Sequence, residues 1–320
     1  MSGQGLKAQA VAWIDGRWGT PAELAVPLQD RGLLLADGLF ETVLVQAGRP
    51  VLLEAHLQRW CASAALLAMD PPPGAAQLEP LIREAIERAG LSSKDADASA
   101  DVADDCQRHH NPGLGPCGAL RLNWSRGDAN GRGIDLVQGS AWDHRQRFWL
   151  QLSPWSPTFS AQTAHISRLE RRNGFSRLSQ CKTFAYGQAI QARHEARLAG
   201  ADEALLLSTR GTLCCGAVAN LMVRCGERWL TPPLSSGCLP GVMRGRAVAL
   251  GLAEEADMTW DRHAGLRVMD PATGAEVPDL QPSAWVLLNS LSCRPLSAIN
   301  EKPLPQISAA AAETFWRQLH

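Results

Sequence analysis

The sequence predicts a mixed α/β protein of two domains. Segments with the apolar alternation of strands are mixed with segments of helical periodicity, without the regular strand-helix-strand repeat of a doubly wound sheet. The chain has 320 residues and is 45% hydrophobic, which is enough for two sizeable cores. Residues 153–161, "SPWSPTFSA", are the best candidate linker because they are rich in proline and serine. We therefore expect an N-terminal domain over 1–154 and a C-terminal, cofactor-binding domain over 155–320.

The first domain is predicted to begin with a hairpin, since "AWIDGRW" places the turn signal Asp15-Gly16 between apolar residues. Apolar runs on either side of a glycine turn predict strands from Phe40 to Val45 and from Val51 onward. Apolar spacing then predicts helices over 54–69 and over 77–90, the second ending at a glycine.

Residues 91–118 lose apolar periodicity and are predicted to be a mobile, disordered insertion. Four possible metal ligands fall in this segment, namely Cys106, His109, His110 and Cys117. Their spacing matches no structural zinc pattern and the segment has little core to hold them in place. We therefore predict no metal site.

The rest of the chain again mixes strands, loops and helices. Its predicted elements are, in order, a strand "ALRLNW", a polar loop "SRGDANGRG", a strand "RFWLQLSPW", a helix over 183–199, a strand "ALLLS", a hairpin of Leu221–Arg224 with Arg228–Thr231, a loop "TPPLSSGCLPG" and a helix from about 242.

The charge and cysteine content indicate a cytosolic protein that acts on a small molecule. A net charge of −1 produces no positive electrostatic field that would attract nucleic acid or anionic lipid. No apolar run approaches the ~20 residues of a membrane span. The nine cysteines form no CxxC pair, which is typical of reduced thiols. The sequence contains no GxGxxG motif, so it does not predict a nucleotide-binding loop.

Lys182, in "QCKTFAY", is the first candidate for chemistry. Only four of the 31 basic residues are lysines, and the other three lie where any cation would serve. A desolvated lysine can lose its proton or condense with a carbonyl, whereas an arginine cannot. A chance choice of cation is the alternative, and this observation alone does not exclude it.

Three weaker features point to acidic ligands. Backbone amides after Gly241, where a glycine-proline loop enters a helix, are suited to a phosphate. Arg59 lies one turn from His56, and Arg126 and Arg132 flank a glycine-rich turn. Each feature alone is more often an ordinary surface loop or a solvated charge. Together with Lys182 they describe a pyridoxal phosphate enzyme for an acidic substrate.

Six segments in register make the chain resemble the class IV aminotransferase-like, fold type IV pyridoxal phosphate family, whose members include branched-chain and D-amino acid aminotransferases and aminodeoxychorismate lyase. These segments are "DRGLLLADGLFETVLV", "EAHLQRW", "SRGDANGRG", "KTFAYGQAIQARHEARLAGADEALLLSTRG", "ANLMV" and "PPLSSGCLPGVMR". The arginine-glycine loop is most similar to the lyase branch. The resemblance implies a two-domain fold like that of D-amino acid aminotransferase, pyridoxal 5'-phosphate as cofactor and a homodimer.

The resemblance also implies roles for individual residues. Lys182 matches the lysine that holds the cofactor and carries a proton. The other matches are Arg59, Val242, Met243 and Ser290 at the cofactor phosphate, Tyr186 near the ring oxygen, and Arg126 and Arg132 beside the substrate carboxylates.

One position departs from the family pattern. Where the family places a glutamate against the pyridine nitrogen, this chain has Cys215, and no Asp or Glu occurs from Ala204 to Gly226. A thiol keeps the ring protonated less well than a carboxylate does. We expect this change to favour the lyase, which forms 4-aminobenzoate and pyruvate from 4-amino-4-deoxychorismate for folate synthesis, because its product is aromatic. The alternatives are a branched-chain or D-amino acid aminotransferase and a catalytically weakened cofactor-binding protein.

Overall fold

The computed structural model describes residues 8–92, 114–128, 133–136, 146–261, 263–269, 273–278 and 280–320. The chain divides into two compact units. The first unit comprises Met1–Pro157 together with Lys182–Ala185, and the second comprises Thr158–Cys181 together with Tyr186–His320. The short segment that carries Lys182 therefore belongs to the first unit, although the chain on both sides of it belongs to the second.

The first unit contains a six-stranded antiparallel sheet of spatial order β2-β1-β6-β5-β3-β4. Its strands are β1 (Val11–Ile14), β2 (Arg17–Gly19), β3 (Gly38–Gln46), β4 (Arg49–Pro50), β5 (Cys117–Ser125) and β6 (Arg147–Pro154). Its helices are α1 (Arg31–Leu35), α2 (Leu53–Leu66) and α3 (Ala75–Arg88). The predicted hairpin at Asp15-Gly16 is confirmed, and both turn residues have positive φ, as a tight turn between twisted strands requires.

The core of the first unit lies between this sheet and the two longer helices. Buried residues of α2 include Leu57, Trp60 and Ala64, which recur at helical spacing on the side that packs on β3. The predicted glycine stop of the next helix is confirmed, because Gly90 adopts positive φ and Leu91 N donates to Ile86 O at 3.0 Å.

The second unit contains the remaining described strands and three helices. The strands are β7 (Gln162–Arg172), β8 (Glu203–Ser208), β9 (Leu213–Gly216), β10 (Asn220–Cys225), β11 (Arg228–Thr231), β12 (Ala253–Glu255), β13 (Asp257–Asp261), β14 (Gly265–Met269), β15 (Pro282–Asn289), β16 (Ser292–Ile299) and β17 (Lys302–Pro303). The helices are α4 (Gly187–Leu198), α5 (Val242–Ala249) and α6 (Ala309–Arg317).

The strands of the second unit form one large sheet that closes on itself. Its order is β12-β11-β10-β15-β16-β7-β8-β9, with a further pairing of β9 to β10 and with β17 beside β16, while β13 and β14 form a separate hairpin. Large apolar side chains such as Leu221, Trp285 and Leu296 fill one cluster. A second cluster joins the alanines of α4 to three cysteines, Cys214, Cys215 and Cys238.

Three sequence predictions about element boundaries were wrong. The strand predicted from Val51 onward is β4, Arg49–Pro50, and Val51 lies in the turn that leads from this strand into α2. The helix predicted from 183 begins only at Gly187, because the preceding residues pair with β3. The insertion predicted over 91–118 ends earlier than expected, because Cys117 and Gly118 belong to β5, where Cys117 pairs with Gln46. The segment 93–113 lies outside the described residues.

The longest helices among the described residues, α2 and α3, have 14 residues each. No helix in this part of the chain is long and apolar enough to span a membrane.

Candidate active site

The backbone around Lys182 is held at the free edge of β3. Phe40 N donates to Lys182 O at 2.9 Å, and Phe184 N donates to Gly38 O at 3.0 Å. Leu39 and Thr183 form the bridge between these two bonds. The main chain of Lys182 is therefore fixed by ladder hydrogen bonds, and only its side chain retains torsional freedom.

Phe184 secures this segment by packing against a strand position that has no side chain. A Cβ at Gly38 would lie 2.2 Å from Cε2 of Phe184, which no real contact tolerates. The Phe184 ring also lies beside Trp149, with centroids 5.6 Å apart. Gly38 thus permits the close approach that anchors the lysine.

The Phe40 ring makes cation–π contacts with two side chains. The Nζ of Lys182 lies 4.5 Å from the centroid of the Phe40 ring, and the guanidinium carbon of Arg121 lies 3.6 Å from it. The ring is only 3% exposed, so both contacts are poorly screened by water. Such contacts are worth about 0.5–2 kcal/mol and direct the amine of the half-buried Lys182.

Arg59 and His56 meet on a buried carboxylate, Glu41 of β3. Arg59 Nε donates to Glu41 Oε1 at 2.8 Å, and its Nη2 donates to Oε2. His56 Nδ1 lies 2.8 Å from the same Oε2. Sequence reasoning missed Glu41, although it is the only charge in the apolar run "GLFETVLV". An isolated acid in a buried strand is a signal that a basic partner lies nearby.

The ionisation of this group is set by its surroundings. Burial raises the pKa of Glu41, but the charge of Arg59 and the hydrogen bonds from His56 and Arg59 outweigh burial and lower the pKa to about 2. Burial lowers the pKa of His56, against the pull of Glu41, and the nearby charges of Arg59 and Lys182 lower it further. At neutral pH Glu41 is therefore ionised, and His56 is neutral and acts as its hydrogen-bond donor.

Arg126 is engaged within the first unit. Its Nε donates to Asp37 Oδ2 at 2.8 Å, and its two Nη atoms donate to the carbonyls of Ala68 and Leu67 at 2.8 and 2.9 Å. These bonds tie the end of α2 to the end of β5 and indicate a structural role. The predicted contact of Arg126 with a substrate carboxylate stays a prediction, and Arg132 lies outside the described residues.

The first unit also contains a cavity of about 220 Å³ beside the lysine segment. Its walls are mainly apolar, formed by Val26, Leu33, Trp149 and Phe184, and its polar lining comes from Arg121 and Asn123. Arg121 Nε donates to Asn123 Oδ1 at 2.7 Å, which orients the guanidinium. Sequence reasoning missed Arg121 because an alternating strand gives no local sign of what its polar face meets.

In the second unit, α5 begins where the sequence predicted a phosphate site. Gly241 is the N-cap residue, and Val242 and Met243 are the first helical residues. The first N–H groups of a helix have no partner within the helix and attract an anion. Asn220 fixes the loop before this helix, since its Nδ2 donates to Leu239 O at 2.9 Å, and a Cβ at Gly241 would lie 1.9 Å from Asn220 Oδ1.

The other predicted cofactor contacts also lie in the second unit. Ser290 lies in the turn between β15 and β16, and Tyr186 is the N-cap residue of α4 and packs against the cluster that contains Cys215. Both are half-buried. Their roles toward the cofactor stay predictions.

Cys215 is buried on β9, with 5% of its surface exposed. The adjacent Cys214 thiol lowers the pKa of Cys215, burial raises it, and the nearby charge of Arg172 lowers it again, so that the pKa reaches about 7. The position that lacks a carboxylate therefore contains an ionisable sulfur beside an arginine.

These donors fit pyridoxal phosphate. In the first unit, Lys182 supplies a primary amine for the aldehyde and Arg59 supplies a guanidinium suited to a phosphate. In the second unit, the amides at the start of α5 are by themselves suited to a phosphate. No cluster of three or more His, Cys, Asp or Glu side chains suited to a metal ion occurs within the described ranges.

A family model for amino-transferase class IV matches residues 38–263. The chain belongs to the class IV aminotransferase family. A curated Mycobacterium tuberculosis protein named bifunctional aminodeoxychorismate lyase / D-amino acid transaminase is 26% identical over 223 residues, which are 67% of this chain and 65% of that protein. The chain thus spans just under two thirds of this relative's length.

Two solved structures have the same fold. CpuTA1, a fold IV-transaminase from Curtobacterium pusillum, has a TM-score of 0.70 at 20% identity, with 97% of this chain and 99% of that chain covered. A hypothetical aminotransferase from Mycobacterium tuberculosis, in a PLP-bound form, has a TM-score of 0.68 at 22% identity, covering 97% and 98%. The predicted family, fold type and cofactor are confirmed: this is a pyridoxal phosphate-dependent enzyme of fold type IV.

Proposed function

We propose that the protein is a lyase that converts 4-amino-4-deoxychorismate into 4-aminobenzoate and pyruvate, a step of folate synthesis. The observation that carries this proposal is Cys215, a sulfur where the resemblance places a glutamate at the cofactor's ring nitrogen. An elimination that creates an aromatic product needs less electron withdrawal by the cofactor's pyridine ring than transamination does. The lyase activity in the printed name of the Mycobacterium tuberculosis relative supports the same choice.

Each unit has donors of the kind that the cofactor needs. In the first unit, Lys182 Nζ would take the aldehyde and the Arg59 guanidinium suits a phosphate. In the second unit, the amides of Val242 and Met243 at the start of α5 suit a phosphate. When bound, pyridoxal phosphate supplies a conjugated ring that accepts the electron pair left by a broken C–H bond. Glu41 holds the Arg59 guanidinium in one orientation, because it accepts hydrogen bonds from both Nε and Nη2.

Lys182 would also carry the proton. Its Nζ is the basic atom of a side chain whose backbone is fixed at β3, so it can swing between positions without moving the main chain. In the proposed reaction Nζ would take the proton from the substrate's ring carbon, and the bond between the ring and the enolpyruvyl oxygen would break. The proton then passes to the released enolpyruvate, which becomes pyruvate, so that the amine is regenerated and no other reactant is consumed.

The substrate's acids need cationic partners. Arg121 lines the cavity of the first unit, and its forked donors suit a carboxylate. The apolar walls of that cavity suit the carbon ring of the substrate. We propose Arg121 for this role in addition to the predicted Arg132. We further propose a cytosolic homodimer that acts on this small substrate and on neither nucleic acid nor membranes.

A second candidate is D-amino acid transamination, which the printed name of the same relative includes. A sulfur that ionises near neutral pH retains part of the electron-withdrawing effect of a carboxylate, so this activity is the natural competitor. Glutamate formation from a D-amino acid and 2-oxoglutarate, without 4-aminobenzoate from aminodeoxychorismate, would reverse the choice.

The test is the release of pyruvate from 4-amino-4-deoxychorismate, followed with lactate dehydrogenase and matched to 4-aminobenzoate by chromatography. Lys182→Ala and Lys182→Arg should both abolish turnover, because neither side chain can take up and release a proton at that position. Lys302→Ala is the matched control, since the Lys302 amine lies in the second unit, where it donates to His263 O at 2.8 Å and lies 5.5 Å from the centroid of the Trp260 ring. Pyruvate release that survives in Lys182→Ala would refute the assignment.

A further inference from the structure

The loop 232–241, which joins β11 to α5, fixes the position of the amides that open α5. One short helical turn is all the regular structure in this fully described stretch, so contacts from other elements must hold the rest. Two strands supply such contacts to the second half of the loop. Cys214 Sγ lies 3.4 Å from Ser236 O, and Asn220 Nδ2 donates to Leu239 O at 2.9 Å. The first half of the loop needs a support of its own.

Arg244, the third residue of α5, supplies that support from the helix itself. Its Nη2 donates to Pro232 O at 2.9 Å and also contacts Glu255 Oε1 at the end of β12. Pro232 directly follows β11. Cys238 Sγ also donates to Pro232 O, at 3.6 Å, but a thiol is a weak donor. The Arg244 side chain therefore joins the first residue of the loop to the first turn of the helix that the loop enters.

This position is an unfavourable one for a buried arginine. The N-terminal end of a helix carries a partial positive charge, so a cation in the first turn is disfavoured. Arg244 is 4% exposed, and its Nε has no hydrogen-bond partner among the described residues. The side chain of its acid partner, Glu255, is 44% exposed, so solvent screens the ion pair. An anion bound at the first amides of α5 would offset these costs.

We propose that Arg244 is the positioning residue of the phosphate site at the start of α5. By holding Pro232 O it keeps Gly241 and the amides of Val242 and Met243 in the orientation that receives the phosphate. The inference rests on the proposed placement of the cofactor phosphate at those amides, and it deepens that proposal. Arg244 acts on the phosphate end of the cofactor, because the amides of α5 are the part of the site that the loop carries.

Binding of pyridoxal phosphate and of pyridoxal to the full-length apoprotein tests this, because the two ligands differ only by the phosphate. Tryptophan fluorescence gives both dissociation constants. Arg244→Met should weaken pyridoxal phosphate binding about 10- to 100-fold, as expected for the loss of a charge-assisted hydrogen bond that holds the site, and should change pyridoxal binding by less than about twofold. Arg246→Met is the matched control, since Arg246 is an exposed arginine of the same helix, and it should change neither constant.

Two further variants separate the loop contact from the charge. Glu255→Gln removes the ion pair and keeps the bond to Pro232 O, so it should leave pyridoxal phosphate binding within about twofold of wild type. Arg244→Lys keeps the charge, but its side chain is one bond shorter, so its ammonium should fall short of Pro232 O. Arg244→Lys should therefore also weaken pyridoxal phosphate binding selectively, and it decides the test if Arg244→Met does not fold.

Three results would overturn the proposal: equal binding in Arg244→Met and Arg246→Met, wild-type binding in Arg244→Lys, or a loss in Glu255→Gln as large as that in Arg244→Met. Gly241→Ala alters the start of α5 by another route. A selective loss of phosphate binding in Gly241→Ala with none in Arg244→Met would reject the role of Arg244 and retain the phosphate site. No substrate is present, so a failed lyase assay with the expected binding result would reject the proposed reaction and leave this inference standing.

Discussion

Replacing Glu41 with glutamine removes a buried negative charge that Arg59 and His56 share. The Glu41 side chain is 1% exposed and that of Arg59 is 11% exposed, so solvent cannot compensate for the lost partner. The pKa of Glu41 falls from 4.5 to about 2 in the folded protein. At about 1.4 kcal/mol per pKa unit, the ionised carboxylate stabilises the fold by about 3 kcal/mol. We therefore expect Glu41→Gln to lower the free energy of unfolding by about 3–5 kcal/mol, the range for breaking a buried pair.

Urea unfolding followed by circular dichroism measures this loss at a series of pH values. A carboxyl with a depressed pKa stabilises the folded state above its unfolded pKa, and this contribution is lost as the pH falls through the folded pKa. The gap between wild type and Glu41→Gln should be full at pH 7 and should shrink from pH 4.5 toward pH 2. Glu84→Gln is the control, because Glu84 pairs with Arg88 at the surface and should cost under about 0.5 kcal/mol. Equal losses in both variants, or a gap independent of pH, would refute the reasoning.

Two glycine substitutions test the supports of the site, and Gly245→Ala is the control for both because a Cβ there meets no atom within 4 Å. Gly241→Ala should displace Asn220, 1.9 Å from the new Cβ, and should weaken pyridoxal phosphate binding about tenfold in a fluorescence titration, since one loop hydrogen bond is lost. Gly38→Ala should displace the Phe184 ring, should cost about 1–3 kcal/mol in urea unfolding and should slow borohydride trapping of the cofactor on the lysine. Variants as stable and as reactive as Gly245→Ala would contradict both expectations.

The elements with strong local patterns could be predicted from the sequence. The Asp15-Gly16 hairpin, the helix that stops at Gly90 and the helix that begins after Gly241 all appear where their turn residues and apolar spacing indicate. In each case the signal lies within a few residues of the element that it specifies. Boundaries were displaced where a distant partner decided them. Residues 182–184 have helical neighbours, but their hydrogen bonds go to β3, more than 140 residues earlier in the chain.

The same distinction applies to the site. The order of the sequence motifs identified Lys182, Arg59 and Cys215 as candidate site residues. It could not show that Glu41 binds both Arg59 and His56. It also favoured Arg126, in a conspicuous glycine-rich loop, over Arg121, whose position in an ordinary strand gives no local sign of the cavity it lines. The sequence does not show whether an arginine binds the carbonyls at a helix end or lines a cavity. The difference depends on carbonyl and carboxylate groups that come from distant parts of the chain.

The sulfur of Cys215 bears on the proposed choice of reaction through the proton on the cofactor's ring nitrogen. A carboxylate with an ordinary pKa near ~4 is a weak base and leaves a shared proton on that nitrogen. The pKa of Cys215 is lowered to about 7, so its thiolate is a stronger base than a carboxylate and would compete for the proton. Electron withdrawal by the ring would then be reduced. We expect a reaction that gains aromatic stabilisation to tolerate that reduction, and we expect transamination, which depends on the ring to hold the released electron pair, to be slowed by it.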